Sequence, residues 1–292
     1  MATRSVIFVG VNTSGSRVHE LFPRWTATLG VDARIVSIDL PLDATQEQYR
    51  SLVESIACDR GVIGAVITSH KLRLYATCAD LFAEVDHYAA VTHEVNSLHR
   101  TARGLCAAAR DPLAARAVLD ELDALSDDVL CLGAGGAATA IALNLVVGKK
   151  TPQRAIFTDV RPDRLQALEA TLGALGRATT RFEFVPARAT DAMLASLRRG
   201  SLVVNATGLG KDVPGSPIGQ SALFPANGVI WELNYRGDRP FLAQARRQQR
   251  QRRLRVHDGW LYFLHGWFQA LAPILDFEPD RRLFDQFRAA SA

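Results

Sequence analysis

The residues Gly133-Ala134-Gly135-Gly136 stand between two apolar stretches, in a pattern that can hold a phosphate. Asp128–Leu132 before them reads as a short strand, and Ala137–Val147 behind them reads as an almost wholly apolar helix. In that setting each residue has a separate task. Gly133 permits the tight turn, Gly135 lets a pyrophosphate approach the backbone, and the small Ala138 lets the helix lie close on the sheet. The helix N-terminus then offers unpaired N–H groups and a partial positive charge to the phosphates. Asp159 follows Gly136 by 23 residues, near the spacing at which a carboxylate reaches the adenosine ribose 2′-hydroxyl. A glycine turn also serves as a plain strand-to-helix connection. The flanking strand and helix and the acidic residue together favour a nicotinamide dinucleotide, held by Gly133, Ala134, Gly135, Gly136, Ala137 and Asp159. A carboxylate at 159 favours NAD and repels a 2′-phosphate, while Arg161 and Arg164 keep NADP open.

The elements around this turn give a coarse plan. Val6–Val9 (strand), Arg17–Leu29 (helix), Ala33–Ile38 (strand), Thr45–Ala57 (helix, capped by Thr45 with Glu47 close behind) and Gly64–Thr68 (strand) alternate. That alternation predicts an α/β unit with a mostly parallel sheet covered on both faces. After the glycine turn and its helix, a polar linker at 148–152 leads to a strand at Ala155–Thr158. Helices at Arg164–Leu172 and Asp191–Leu197 and strands at Phe182–Val185, Leu202–Asn205 and Val229–Leu233 complete a Rossmann-type pattern. Leu261 to Ala272 is apolar and aromatic at helical spacing and needs a surface to bury it.

Composition narrows the function classes. With 292 residues the chain is long enough for two cores, and 48% hydrophobic with 22% charged residues is an ordinary globular balance. No apolar run approaches the ~20 residues that cross a bilayer, and the first residues read as a strand, so a cytoplasmic protein without a membrane partner is expected. Cys58, Cys78, Cys106 and Cys131 are scattered and the seven histidines form no ligand cluster, so no metal is expected. The net charge of +4 rests largely on the run Arg246–Arg253, which carries no aromatic residues and reads as a solvated helix face, not a nucleic-acid surface.

Seven segments, the glycine turn among them, occur in one order. They are Thr13-Ser14-Gly15-Ser16 with His19 and Phe22; Val66-Ile67-Thr68-Ser69-His70-Lys71; Glu94-Val95-Asn96-Ser97; Asp111; Gly133–Gly136; Asn205-Ala206-Thr207-Gly208-Leu209-Gly210; and Glu232-Leu233-Asn234-Tyr235. In this order the chain resembles the shikimate dehydrogenase family over nearly its whole length, with a divergent first half. The resemblance implies two α/β domains. Residues 1–112 would bind substrate, with 259–292 returning to pack on them, and 113–258 would form the Rossmann NAD(P)-binding domain. Asp111 would lie at the hinge of a cleft where reaction occurs. It implies Lys71 and Asp111 as the catalytic pair, and Ser14, Ser16, Thr68, Asn96 and Tyr235 as substrate-binding residues. Arg161, Asn205, Thr207 and Gly208 would serve the cofactor, and Lys211–Pro217 would be a lid-like loop. A lysine beside a carboxylate can stabilise an alkoxide and move its proton as hydride leaves a secondary alcohol. Asp111, followed by Pro112, can also cap a helix.

The departures concern the substrate. Val66 replaces the family's Asn, Ala109-Arg110-Asp111 replaces its N-T-D, and Leu264-His265-Gly266-Trp267 stands where it places a Gln. Two amides that would read ring hydroxyls are thus absent, while Arg110, His70 and His265 are present. Buried polar groups discriminate strongly against mismatched substrates. The expected substrate is a related cyclic hydroxy acid, shikimate- or quinate-like but not shikimate itself, with Arg110 or His265 taking its carboxylate. The expected protein is an NAD(P)-dependent dehydrogenase, monomeric or homodimeric. The competing reading is a metabolite and dinucleotide sensor on the same fold, against which stands the presence of both Lys71 and Asp111.

Overall fold

The computed structural model describes residues 4–125, 127–147, 150–176, 179–211 and 213–292. Gly148 and Lys149 of the expected linker and Asp212 of the expected lid-like loop lie outside the described residues. The chain is a two-domain α/β protein that divides into two compact units, Met1–Asp111 with Gly266–Ala292, and Pro112–His265. Among the described residues no helix is long and apolar enough to cross a membrane.

The first unit runs β1 (Arg4–Gly10), α1 (Val18–Leu29), β2 (Ala33–Asp39), α2 (Gln46–Cys58), β3 (Val62–Ile67), α3 (Lys71–Cys78), β4 (Glu84–Val85), α4 (His87–Thr92), β5 (Ser97–Thr101) and β6 (Gly104–Ala108). Its six-stranded sheet has the order β2-β1-β3-β5-β6-β4. β1 lies parallel to both β2 and β3, and Ser5–Gly10 is buried throughout, as expected of a strand covered on both faces. The sheet is mostly parallel, as expected, and one of its six strands, β5, runs the other way, antiparallel to β3 and to β6. β5 and β6 form a hairpin closed over Ala102-Arg103, and neither strand shows the alternation that would have revealed it in the sequence.

Thr45 caps α2 as expected, with Glu47 in the first turn, and its reciprocal partner is Gln48. Gln48 N donates to Thr45 Oγ1 (3.2 Å) and Thr45 N donates to Gln48 Oε1 (2.8 Å), which is the three-residue spacing such a box needs. Tyr49, Val53 and Ile56 of this helix pack with Val9, Ile67, Leu74 and Leu98 in the core.

The C-terminal elements are α10 (Trp260–Leu275) and α11 (Arg281–Ala289). Within the first unit, Trp267 packs edge-on against Phe8 (5.0 Å between centroids), and Trp25 of α1 stacks on Phe287 (4.2 Å). The indole N–H of Trp25 donates to Ser291 Oγ at 2.8 Å, so the burial leaves no orphan donor there. From Gly266 onward the tail therefore lies in the first unit, with Trp267 and Phe287 packed on its aromatic side chains.

The second unit contains most of α5 (Asp111–Glu121), then β7 (Asp128–Leu132), α6 (Gly136–Val147), β8 (Arg154–Asp159), α7 (Pro162–Ala174), β9 (Arg181–Pro186), α8 (Thr190–Ala195), β10 (Leu202–Asn205), β11 (Val229–Glu232), α9 (Pro240–Arg252) and β12 (Arg255–His257). Its sheet is parallel throughout, in the order β12-β11-β10-β7-β8-β9. Counted within the unit this is the doubly wound order 3-2-1-4-5-6 read from the other edge, and the order reverses between β7 and β10. A crevice outside the carboxyl ends of those two strands is where such sheets bind ligands. The glycine turn ends β7, and Asn205 ends β10. The arginine run lies on α9, where Arg246, Arg247 and Arg250 are exposed.

Gly133 is required by two independent facts. Its φ is +106°, and a Cβ there would lie 2.8 Å from Ala206 O. Gly133→Ala is expected to cost about 1–3 kcal/mol, read as a lower urea midpoint, whereas an unchanged midpoint would show that the turn tolerates a side chain.

Candidate active site

Two backbone seams place the chemistry of the first unit. Ile67 N, at the end of β3, donates to Asn96 O (2.9 Å), and Asn96 N donates to Ala108 O (3.0 Å). The chain leaving β3 reaches Lys71 within four residues, and the chain leaving β6 reaches Asp111 within three. Lys71 thus opens α3 beside the first residue of α5. Lys71 Nζ donates to Asp111 Oδ2, and Asn96 Nδ2 donates to Asp111 Oδ1 at 2.6 Å. Asn96 Oδ1 in turn accepts from Arg110 N at 2.7 Å. The carboxylate is therefore shared between Lys71 and Asn96 instead of capping α5, which begins at Asp111 itself. Asn96, expected to read a substrate hydroxyl, has both ends of its amide engaged in this arrangement.

Charge balance keeps Lys71 cationic. Burial pulls the ammonium down, but the charges of Asp111 and Glu94 outweigh it and leave Lys71 above the ordinary lysine value. Glu94 itself is only 7% exposed, and burial pushes its carboxyl up to about 7, with Lys71 drawing it down and Asp111 pushing it further up. Glu94 stands between His93 and Val95 in a motif that assigns it no role, and its burial is not visible in the sequence.

The other expected substrate groups divide. His70 is buried and fully engaged: Nε2 donates to Leu40 O (3.0 Å), so Nδ1 accepts from Tyr49 OH (2.7 Å). Ser14, exposed, donates to Asn12 Oδ1 (3.1 Å), and Ser16 Oγ accepts from Val18 N (3.4 Å). Thr68 is exposed at the end of β3 and donates from Oγ1 to Val9 O. Arg110, half-buried, donates from Nε to Gln269 O (3.3 Å). Burial lowers its guanidinium and nearby Asp86 raises it. In the second unit, His265 is buried with Nε2 3.5 Å from Glu121 Oε2, and Tyr235 packs on Phe263 (4.5 Å) and Trp260 (6.1 Å).

The expected cofactor residues gather at the carboxyl ends of β7, β8 and β10. No atom lies within 4 Å of where a Gly135 Cβ would stand, so its backbone can be approached, and α6 starts directly behind it at Gly136. Ala137 lies on its first turn. Asp159 is 7% exposed and turns its carboxylate onto the glycine turn. Oδ2 accepts from Ala134 N (2.8 Å), and Oδ1 accepts from Arg161 N (2.9 Å). Arg161 is drawn to Asp163 (2.6 Å), and Arg164 lies 4.0 Å from Asp159.

Behind Asn205 lies a second buried acid that the sequence reading left without a role. Glu232, at the end of β11, accepts from Asn205 Nδ2 (2.8 Å) and from Asn234 N (2.8 Å). Asn205 Oδ1 accepts from Thr207 N (3.1 Å) and Oγ1 (2.7 Å), and Asn234 Nδ2 donates to Leu209 O (2.9 Å). Gly208, with φ +79°, completes the loop that this network holds. Among the described residues no group of three or more His, Cys, Asp and Glu is placed to hold a metal ion.

Burial raises the Glu232 carboxyl to about 7, whereas an unfolded glutamate titrates near 4.5. Between these values the folded state binds the proton more tightly, so stability is fullest below the unfolded value and falls as pH rises through the folded one. Denaturant midpoints are expected to drop between pH 5 and 8, by up to about 3 kcal/mol from this group. Glu232→Gln should shrink the drop. An equal drop in the variant would remove Glu232 as its source.

No protein-family model matches the chain. The shikimate dehydrogenase (NADP(+)) of Streptococcus thermophilus is 34% identical over 124 residues, which are 41% of this chain and 42% of that protein. The shikimate dehydrogenase (NADP(+)) of Xanthomonas campestris pv. campestris is 32% identical over 197 residues, 66% of this chain and 65% of that protein. The chain thus spans less than two thirds of the length of these curated relatives. The fold match is wider: the solved quinate dehydrogenase from Corynebacterium glutamicum in complex with NAD superposes with a TM-score of 0.77 at 22% identity, over 98% of this chain and 99% of that one. The chain is thus similar in sequence to shikimate dehydrogenases along 66% of its residues and shares the fold of a quinate dehydrogenase along 98% of them.

Proposed function

We propose that the protein is an NAD(P)-dependent dehydrogenase that moves hydride between a secondary alcohol of a cyclic hydroxy acid and nicotinamide. The observation that carries this reading is the Lys71–Asp111–Asn96 arrangement, a cationic proton donor fixed by a shared carboxylate. The chain's similarity to shikimate dehydrogenases and its fold likeness to a quinate dehydrogenase support the substrate class. In this reading residues 1–112, with 259–292, bind the acid, and residues 113–258 bind the dinucleotide.

The second unit fits a dinucleotide. Gly133 makes the tight turn and Gly135 leaves room beside the N-terminus of α6, where backbone N–H groups can take the pyrophosphate. Asn205, Thr207 and Gly208 would line the nicotinamide end. When bound, the cofactor supplies a hydride acceptor or donor. NAD is the favoured form, because Asp159 keeps a carboxylate at the end of β8 and Arg161 is already paired with Asp163. Relatives named for NADP(+) make NADP the form to compare.

Lys71 would act as the acid in reduction. Its ammonium hydrogen-bonds the carbonyl oxygen, stabilises the negative charge that grows there, and gives that oxygen a proton. In oxidation the same proton returns to the amine as the alcohol loses hydride. Asp111 orients Lys71 and compensates its charge, and Asn96 fixes Asp111. Arg110 would take the substrate carboxylate, since its terminal nitrogens make no hydrogen bond among the described residues. Ser14, Ser16 and Thr68 would offer hydroxyls to the ring, and Tyr235 and His265 of the second unit are proposed as further substrate-binding residues. The changes at Val66, Arg110 and His265 favour a quinate-like acid over shikimate.

Ring hydroxy acids screened for reduction of NAD and NADP test this reading. Turnover is expected with NAD and a quinate-like acid, and Lys71→Ala and Asp111→Asn should each lower kcat about 10²–10⁴-fold. Wild-type turnover retained in Lys71→Ala would overturn the assignment, and a clear preference for NADPH would overturn the role given to Asp159.

A further inference from the structure

We propose that Glu94 is a third ionisable member of the Lys71–Asp111 centre, a specificity-determining group whose ionisation weakens the hold on an anionic ligand. The inference rests on the dehydrogenase reading for its ligand class, and on geometry for its residue. α4 ends at His93 in the left-handed conformation (φ 52°), and the chain then turns inward, leaving His93 exposed and Glu94 buried. The His93 ring stacks on Tyr75 at 5.6 Å, which fixes the turn from outside.

On the inner side two tethers bracket Glu94. Val95 N donates to Lys71 O at 3.3 Å, and Asn96 holds the Asp111 carboxylate. Glu94 is 7% exposed, yet its carboxyl has no hydrogen-bond partner among the described residues. Every other part of the centre is paired. The Glu94 oxygens are not among the fully buried unpaired polar atoms, so they are open to a polar group from outside the chain.

The charged groups acting on it are Lys71 from α3 and Asp111 from α5. Lys71 and Asp111 cancel one another, so the net charge of the centre is that of Glu94. Protonated, Glu94 leaves the centre neutral and can donate a hydrogen bond. Ionised, it makes the centre an anion that repels a ring carboxylate. Because burial raises the carboxyl to about 7, both states are accessible near neutrality.

The test uses the full chain. Carboxyl carbon NMR, with Glu94 assigned through Glu94→Gln, is expected to give a Glu94 midpoint near neutrality that moves up in Lys71→Gln. A midpoint in the ordinary glutamate range overturns the proposal. Quinate affinity measured by calorimetry should weaken about tenfold from pH 6 to pH 8 in the wild type and stay flat in Glu94→Gln. The same slope in both proteins also overturns it. Quinate bound with the expected slope but oxidised with neither NAD nor NADP counts against the dehydrogenase reading and supports the role of Glu94.

Discussion

The carboxylate of Asp111 is where the first unit converges. One of its oxygens holds Lys71 and the other holds Asn96, whose own carbonyl oxygen accepts from Arg110 N. Three segments distant in sequence, the ends of β3 and β6 and the strap before β5, are fixed by that sharing and by the backbone seams beneath it. Pairing partly buried charges is costly unless each is also hydrogen-bonded. Here the cost is offset by geometry: the donors are an ammonium and a buried amide, and the amide is oriented by backbone. The charges of Asp111 and Glu94 also hold the Lys71 ammonium above the ordinary lysine value, which suits the acid and electrostatic role proposed for it.

The second unit uses carboxylates differently. Asp159 and Glu232 each stand at the carboxyl end of a parallel strand and each takes two protein donors, including a backbone N–H. Asp159 braces the glycine turn, and Glu232 braces the loop from Asn205 to Leu209. Glycine backbone is conformationally permissive, so the turn takes its fixed shape from such contacts. The acid expected to face a ribose is thus first a support for the turn, while its charge still bears on the choice between NAD and NADP.

Much of this was legible in the sequence because it rests on local rules. The glycine turn, its strand and its helix carry their own periodicity, and the alternation of elements after it specifies a parallel sheet. Lys71, Asn96 and Asp111 were legible only through the order of motifs, since nothing in their spacing says that β3 and β6 flank β5 in one sheet. The antiparallel β5–β6 hairpin was not legible: its strands are short, and buried residues run through β6 without alternation. Gln48 closes the cap on α2 because the residue three positions on from Thr45 can reach back. Glu94 and Glu232 were hidden for another reason. Their character comes from burial, which composition does not report.

The account stands or falls on whether hydride passes from acid to cofactor, because a sensor on this fold would bind both without reaction. A ring acid deuterated at its carbinol carbon, incubated with NAD and the full chain, gives the most direct measurement. NMR should find the label on C4 of the reduced nicotinamide with the wild type and none with Lys71→Met. Bound acid and bound cofactor with the deuterium still on the acid would contradict the account.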